Sequence, residues 1–239
     1  MSEPEEELAQ LDELPQGQAK VRAVREMFDA IAPRYDLVNR VMTFGMDVGW
    51  RKATVGSLGL RPRSRVLDLA TGTGDLCREV QAAGHAPVGL DLSWGMLAHA
   101  RTSAPLVQAD ALRLPFPDHA ADGATCGFAL RNVADLDAFF SELGRVVRPG
   151  GRIALLEVAE PVNPVLRWGH GLYFNKVMPR LGGLLSDASA YGYLRRSVAY
   201  LPPPAEMLAK LRAAGFAALE RRLLSNGVTQ LVTGTAKRR

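Results

Sequence analysis

Two cysteines in 239 residues are too few for a disulfide framework, and no apolar run approaches the roughly 20 residues that span a bilayer. Neither Cys77 nor Cys126 has other metal-type ligands beside it. No metal is therefore expected, and both cysteines read as buried structural thiols. The start of the chain lacks a basic segment followed by an apolar one, so a cytoplasmic protein is the expectation. Lys and Arg are also missing from the first fourteen residues, which hold six acids: Glu3, Glu5, Glu6, Glu7, Asp12 and Glu13. Residues 1–17 therefore read as a disordered acidic tail. The formal net charge of +4 leaves +10 on the remainder once those six acids are set aside. A body that basic suits nucleic acid, anionic lipid or an anionic cofactor, or is a well-solvated surface.

With 47% hydrophobic and 23% charged residues, the chain can bury a proper core. Residues 18–239 read as one domain. Val21, Val24, Met27, Phe28 and Ile31 form one apolar face of a helix over Ala19–Ala30, and Tyr35–Val48 is a second amphipathic segment after Pro33. Short apolar runs then alternate with helical stretches. Strands are expected at Arg65–Ala70, Pro87–Leu92, Leu106–Ala109, Gly123–Leu130 and Arg152–Val158. Helices are expected at Asp75–Ala83, Trp94–Thr102 and Leu136–Val147, with a turn at Pro149-Gly150-Gly151. This alternation predicts an α/β fold, a mostly parallel sheet with helices on both faces. A helix at Ala205–Ala214, ended by Gly215, leads to strands Phe216–Leu224 and Val228–Thr235 joined through Asn226-Gly227, a hairpin signal. Five βα units closed by an antiparallel hairpin predict a Rossmann-like, seven-stranded sheet of the class I methyltransferase type. Residues 18–60 form an N-terminal helical cap in this reading, and 161–204 a helical lid.

The chemistry concentrates at Val66-Leu-Asp-Leu-Ala-Thr-Gly-Thr-Gly-Asp75. Glycines at the end of a first strand let the backbone approach a ligand, with a helix opening beneath it. Gly72 and Gly74 are present, but Cys77 stands at the third glycine position of a dinucleotide fingerprint. Asp68, inside the strand, suits a ligand with a sulfonium and an ammonium better than a pyrophosphate. The cofactor that fits is S-adenosylmethionine. Asp91 follows Gly74 by 17 residues, close to the offset at which an acid accepts ribose hydroxyls. Asp110, after the third strand, is placed for the exocyclic amine of adenine. The candidate cofactor set is Asp68, Gly72, Thr73, Gly74, Asp91, Leu92, Met96, Asp110 and Ala111.

On these residues the chain resembles the demethylmenaquinone and ubiquinone C-methyltransferase family. Its narrowest blocks here are Tyr35-Asp-Leu-Val-Asn39 with Trp50, and Phe128-Ala-Leu-Arg-Asn-Val133. Leu67–Asp75, Leu114-Pro-Phe-Pro-Asp118 and Arg145–Gly151 with Glu157 also match. The resemblance implies cofactor contacts at Thr73, Asp91, Asp110 and Ala111. It implies methylation of a ring carbon of a prenylated hydroquinone, with demethylmenaquinol as the expected acceptor. Val38, Thr43 and Asp47 stand where the family has Met, Ser and His. Gly127, Ala129 and Ala159 replace its Ser, Gly and Ser.

A phenolate makes its ortho carbon nucleophilic, so the acceptor is expected in reduced form. The candidate catalytic residues are Arg131, Asn132, Tyr35 and Asp36. Arg131 is read as stabilising the phenolate. The alternative is a structural ion pair with Asp135 or Asp137. Tyr35 and Asp36 close the pocket, or Tyr35 is a core aromatic. Asp47 is either a base or a helix cap. Trp168, Tyr173, Phe174, Val177, Met178, Leu181 and Leu184, near Arg167, Lys176 and Arg180, form a lid packed on the sheet or a surface that meets the inner face of the membrane. A homodimer is a further expectation. A paralogue acting on another phenolic or polyketide acceptor is the alternative function, and an RNA methyltransferase a third. The third lacks support from any interleaved basic–aromatic stripe, and the Asn/Asp-Pro-Pro-Tyr-type tetrad used on exocyclic amines is absent.

Overall fold

Five apolar runs separated by helices cannot pair as hairpins, and they align in parallel. The computed structural model describes residues 16–164, 167, 171, 193 and 196–237. Its strands are β1 (Arg65–Leu69), β2 (Ala86–Asp91), β3 (Leu106–Gln108), β4 (Ala121–Gly127), β5 (Val147–Val158), β6 (Phe216–Leu224) and β7 (Thr229–Ala236). They form one seven-stranded sheet in the order β3-β2-β1-β4-β5-β7-β6. Strands β1 to β5 are parallel, and β7 runs antiparallel to both β5 and β6. Central β1 is covered on both faces, so Val66, Leu67, Asp68 and Leu69 are all buried instead of alternating. Edge strand β6 alternates, exposing Glu220 and Arg222, charges that discourage pairing with another chain.

The α-helices with described bounds are α1 (Gly17–Ile31), α2 (Tyr35–Met42), α3 (Met46–Ser57), α4 (Asp75–Ala82), α5 (Trp94–Ala98), α6 (Leu136–Val146) and α7 (Pro204–Ala213). One face of the sheet packs Phe139, Phe140, Leu143, Met207, Leu211 and Phe216 with Leu155 and Val232. The other face packs Val55, Leu58, Leu76 and Val80 against Val66, Ala154 and Leu231. Each large side chain so buried contributes about 2 kcal/mol.

Four boundaries depart from the sequence expectation, each for a tertiary reason. The second amphipathic segment breaks at Thr43-Phe44-Gly45, where Phe44 (φ 50°) and Gly45 (φ 74°) turn left-handed, and α3 extends to Ser57. Helix α5 stops at Ala98, because Arg101 N–H bonds Thr73 O and the Thr102 side chain packs toward the glycine loop. Strand β4 starts at Ala121 and ends at Gly127; Phe128 (φ 59°) then bends the chain into a 3₁₀ turn at Leu130–Asn132. Strand β5 begins at Val147, so Pro149–Gly151 lies within it, beside an irregularity in its pairing with Ala121 and Gly123. The hairpin turn has positive φ at Asn226 and Gly227, the backbone that Asn-Gly favours.

Candidate active site

Parallel strands leave a crevice at their carboxyl ends. Here a cavity of about 840 Å³, counting the space that opens to solvent, lies over the ends of β1, β2, β3 and β4. Its floor includes Ala70, Gly72, Asp91, Leu92, Ala109 and Asp110, and Val21, Val24, Phe28 and Tyr35 cover it from α1 and the start of α2. Gly127, Phe128, Ala129, Asn132 and Val133 form its far end. Most of that lining is apolar, as in pockets that enclose small ligands.

With Asp110, Asp91 is one of two carboxylates in the wall. Its Oδ2 accepts the Gly72 N–H at 2.8 Å and its Oδ1 the Ser93 N–H at 2.9 Å. Two backbone amides therefore fix its orientation, and each oxygen keeps a lone pair for a ligand hydroxyl. Burial pushes its carboxyl above the ordinary range, opposed by those two amides and a third from Leu92. Leu92, Met96, Asp110 and Ala111 line the same cavity, and Asp110 Oδ1 accepts the Leu112 N–H at 2.9 Å.

Asp68, Thr73 and Gly74 do not line the cavity; they shape the loop behind it. Asp68 is fully buried beneath the loop, accepting from Thr71 Oγ1 (2.5 Å), Thr125 Oγ1 (2.7 Å) and, more weakly, Cys77 Sγ (3.6 Å). Its carboxylate thus lies behind the loop and not in the cavity lining. Gly74 has φ 83°, and a Cβ there would lie 2.6 Å from Thr102 Cγ2. Thr73 Oγ1 donates to Asp36, which draws Asp36 onto the loop and away from the cavity lining. The missing third glycine is supplied from another strand, since a Cβ at Gly89 would meet Cys77 Sγ at 3.0 Å. Cys77 and Cys126 are free and buried, and burial raises both thiols.

Burial outweighs the hydrogen bonds to Asp68 and pushes it up to about 6 from 3.8. A carboxyl raised on folding adds stability below its unfolded value, and that contribution is lost as pH rises through about 6. Asp68→Asn is therefore expected to gain on the wild type by about 2–3 kcal/mol between pH 4 and pH 7. Urea unfolding at the two pH values measures it. An Asn variant that parallels the wild type across that range would contradict the assignment.

Tyr35 stands in the cavity wall, its ring edge-on to Phe28 at 5.9 Å. Asn132 also lines the cavity, and its Oδ1 is buried with no hydrogen-bond partner. Arg131, 5% exposed, lies behind it. Its Nη1 donates to Glu157 Oε1 at 2.5 Å and to Phe128 O at 2.8 Å, while Nε has no partner. The ion pair is thus with Glu157. Asp135 instead caps α6 through the Asp137 and Ala138 amides, and Asp137 pairs with Lys210.

Asp47 is neither cap nor base. It is 2% exposed within the first turn of α3, and Gly45 occupies the cap position. Its carboxylate accepts from Thr43 Oγ1 (2.9 Å) and Arg51 Nη1 (2.5 Å), with Arg40 at 3.5 Å. Arg51 continues to Asp75 at 2.6 Å, which ties α3 to the start of α4. Asp47 also lies outside the cavity lining. Of the expected departures only Gly127 and Ala129 reach the cavity.

Sequence reasoning missed two ties on α1. Asp29 Oδ1 accepts from Ser93 Oγ (2.5 Å) and the Gly95 N–H (2.8 Å). Lys20 Nζ donates to Val133 O at 2.8 Å. A carboxylate and a lysine at opposite ends of an amphipathic helix were the available signal. Of the lid residues named individually from sequence, only Arg167 is described, bonding Pro161 O and Val162 O; the others lie outside the described residues. Among the described residues no helix is long and apolar enough to cross a membrane.

This sheet order, with a glycine loop after β1 and an acid closing β2, defines a class I methyltransferase fold. Solved structures share it: the putative methyltransferase bound to the Haloferax volcanii Trm112 activator matches with a TM-score of 0.65 at 18% identity, over 88% of this chain and 98% of that one. The [4+2]-cyclase SpnF matches at 0.66 and 17%, over 94% and 97%, so the fold alone does not carry the reaction. The ubiE/COQ5 methyltransferase family model matches residues 16–236, and the chain belongs to that family. It is 42% identical to the demethylmenaquinone methyltransferase of Roseiflexus castenholzii, over 92% of this chain and 96% of that protein. It is 40% identical to the ubiquinone/menaquinone biosynthesis C-methyltransferase UbiE of Syntrophotalea carbinolica, over 88% and 92%.

Proposed function

We propose that this protein transfers a methyl group from S-adenosylmethionine to a ring carbon of a prenylated hydroquinone, with demethylmenaquinol as acceptor and menaquinol as product. The relatives' names support the acceptor. The observation that carries the cofactor is Asp91, pinned by two backbone amides at the wall of an apolar cavity with lone pairs to spare. That geometry suits a ribose diol, and Asp110 suits an adenine amine. The residues present therefore fit S-adenosylmethionine, which supplies an electrophilic methyl when bound.

In this reading Asp91 holds the ribose, Leu92, Met96 and Ala111 enclose the adenine, and Gly72 lets the backbone approach. Thr73 and Gly74 set the loop. Tyr35 and Asn132 orient the acceptor hydroxyl, Asn132 through its unpartnered Oδ1. Arg131 favours the phenolate through the field of a guanidinium held by Glu157, and Asp36 holds the cap closed over Thr73. Holding acceptor and donor in line while excluding water is the main work of the site. Residues 18–60 act as the cap. Contact with the inner face of the membrane belongs to the same reading. Exposed Leu37, Val41, Phe44 and Met46, flanked by exposed Arg34, Arg40 and Lys52, support it.

The test is methyl transfer from labelled S-adenosylmethionine to reduced demethylmenaquinone with a short prenyl tail, beside simple phenols. Turnover confined to the quinol is expected. Turnover confined to another phenol would replace the acceptor assignment, with Gly127 and Ala129 as the altered wall.

A further inference from the structure

Behind the cavity lining, at its Asn132–Val133 end, lies a lysine without a matching acid among the described residues. Lys20 is 3% exposed in α1. Its Nζ bonds Val133 O and lies 3.5 Å from the centroid of the Tyr200 ring. Among the described residues it has no carboxylate partner. Tyr200 lies under the Lys20 amine, and the turns packed on α1 bring the charged groups Arg34 and Arg131. Glu157 is committed to Arg131. A buried cation without a counter-ion is costly, and burial alone pulls the Lys20 amine down to about 8. A mere tie from α1 to the turn after β4 needs a hydrogen-bond donor, not a charge.

The place of Lys20 suggests what balances it. Val21 and Val24, on the same helix, line the cavity, as do Asn132 and Val133. Two buried donors in this region lack partners, Arg131 Nε and Tyr193 Oη. We infer that Lys20 is the electrostatic residue that makes this end of the cavity a site for an anionic phenolate oxygen, the ionised form of the methyl acceptor. The inference rests on the function proposed above.

In that site the acceptor's O–H proton leaves to water, and the negative charge spreads to the ortho carbon. The new C–C bond forms as the sulfur–methyl bond breaks. The displaced ring proton then leaves to water, and the phenolate oxygen takes a proton back from water to restore the hydroquinone, so one proton is released overall. Lys20 touches no reacting atom; its field lowers the pKa of the hydroxyl.

The experiment compares wild type with Lys20→Gln, which keeps a donor for Val133 O but no charge, and Lys20→Arg, which keeps the charge. Two readouts apply: the pH profile of kcat on the quinol, and the apparent pKa of bound 1-naphthol from its naphtholate absorbance. Lys20→Gln is expected to raise both midpoints by about one pH unit and to slow turnover at pH 7 about ten-fold, and Lys20→Arg to restore them. Midpoints in Lys20→Gln that match wild type would overturn the proposal, as would wild type that binds no naphtholate. Naphtholate bound with a lowered pKa, but no quinol turnover, would keep the Lys20 site and remove the quinol assignment.

Discussion

Asp91→Ala is expected to weaken S-adenosylmethionine binding at least about 100-fold, from loss of two charge-assisted hydrogen bonds worth about 1.5–3 kcal/mol each. The reasoning starts from the carboxylate's surroundings. Its two oxygens already hold Gly72 N–H and Ser93 N–H, so it cannot swing away when a ligand arrives. Binding then takes place at a preorganised acceptor. Asp91→Asn is a milder change, because its amide presents one acceptor and places a donor against one of the two N–H groups. Calorimetric titration with S-adenosylhomocysteine measures both variants without needing turnover. Burial raises the Asp91 carboxyl above its ordinary range, so cofactor affinity should also fall on acidification, beginning above the usual carboxylate pH. An affinity for Asp91→Ala within about five-fold of wild type would remove Asp91 from the cofactor site.

The parallel half of the fold was legible because its strands are continuous apolar runs ended by glycines and acids, and β1, β2 and β3 fell within a residue of their expected bounds. What the sequence could not convey were contacts between segments far apart along it. The end of α5 is set by Thr73 and the crowding of Thr102 over Gly74. The block Leu114–Asp118 reads as a motif, yet its meaning lies in Arg145, which donates to Leu114 O, Phe116 O and Asp118. Trp50 belongs to the first block and bonds Ser225 Oγ at 2.8 Å, 175 positions away. The same limit governed the site. Acids at strand ends could be found by offset, and Asp91 and Asp110 do line the cavity. Asp68 has the same signature, but its partners Thr71, Thr125 and Cys77 bury it beneath the loop. Asp47 reads from sequence as a base or a helix cap, and only the arginines around it show a buried ion network.

Glu157→Gln is expected to destabilise the protein by about 3–5 kcal/mol, because it strands a buried guanidinium. Glu157 is 1% exposed, and besides Arg131 it accepts the Val158 N–H at 2.8 Å, so no water can take over its charge. For a domain of this size the melting temperature should fall by roughly 10 °C. The pair also separates two roles of Arg131 that a single variant confounds, since Arg131→Ala leaves Glu157 uncompensated in turn. Removing both charges, in Glu157→Gln with Arg131→Met, should recover most of the lost stability, as replacing a buried ion pair by neutral groups often does. Activity then decides. If Arg131 stabilises the phenolate, the double variant melts near wild type yet turns over about 100-fold more slowly, the scale for losing one preorganised donor to a developing oxyanion. If Arg131 serves only to anchor the turn after β4, turnover returns with stability, and phenolate stabilisation falls to Lys20.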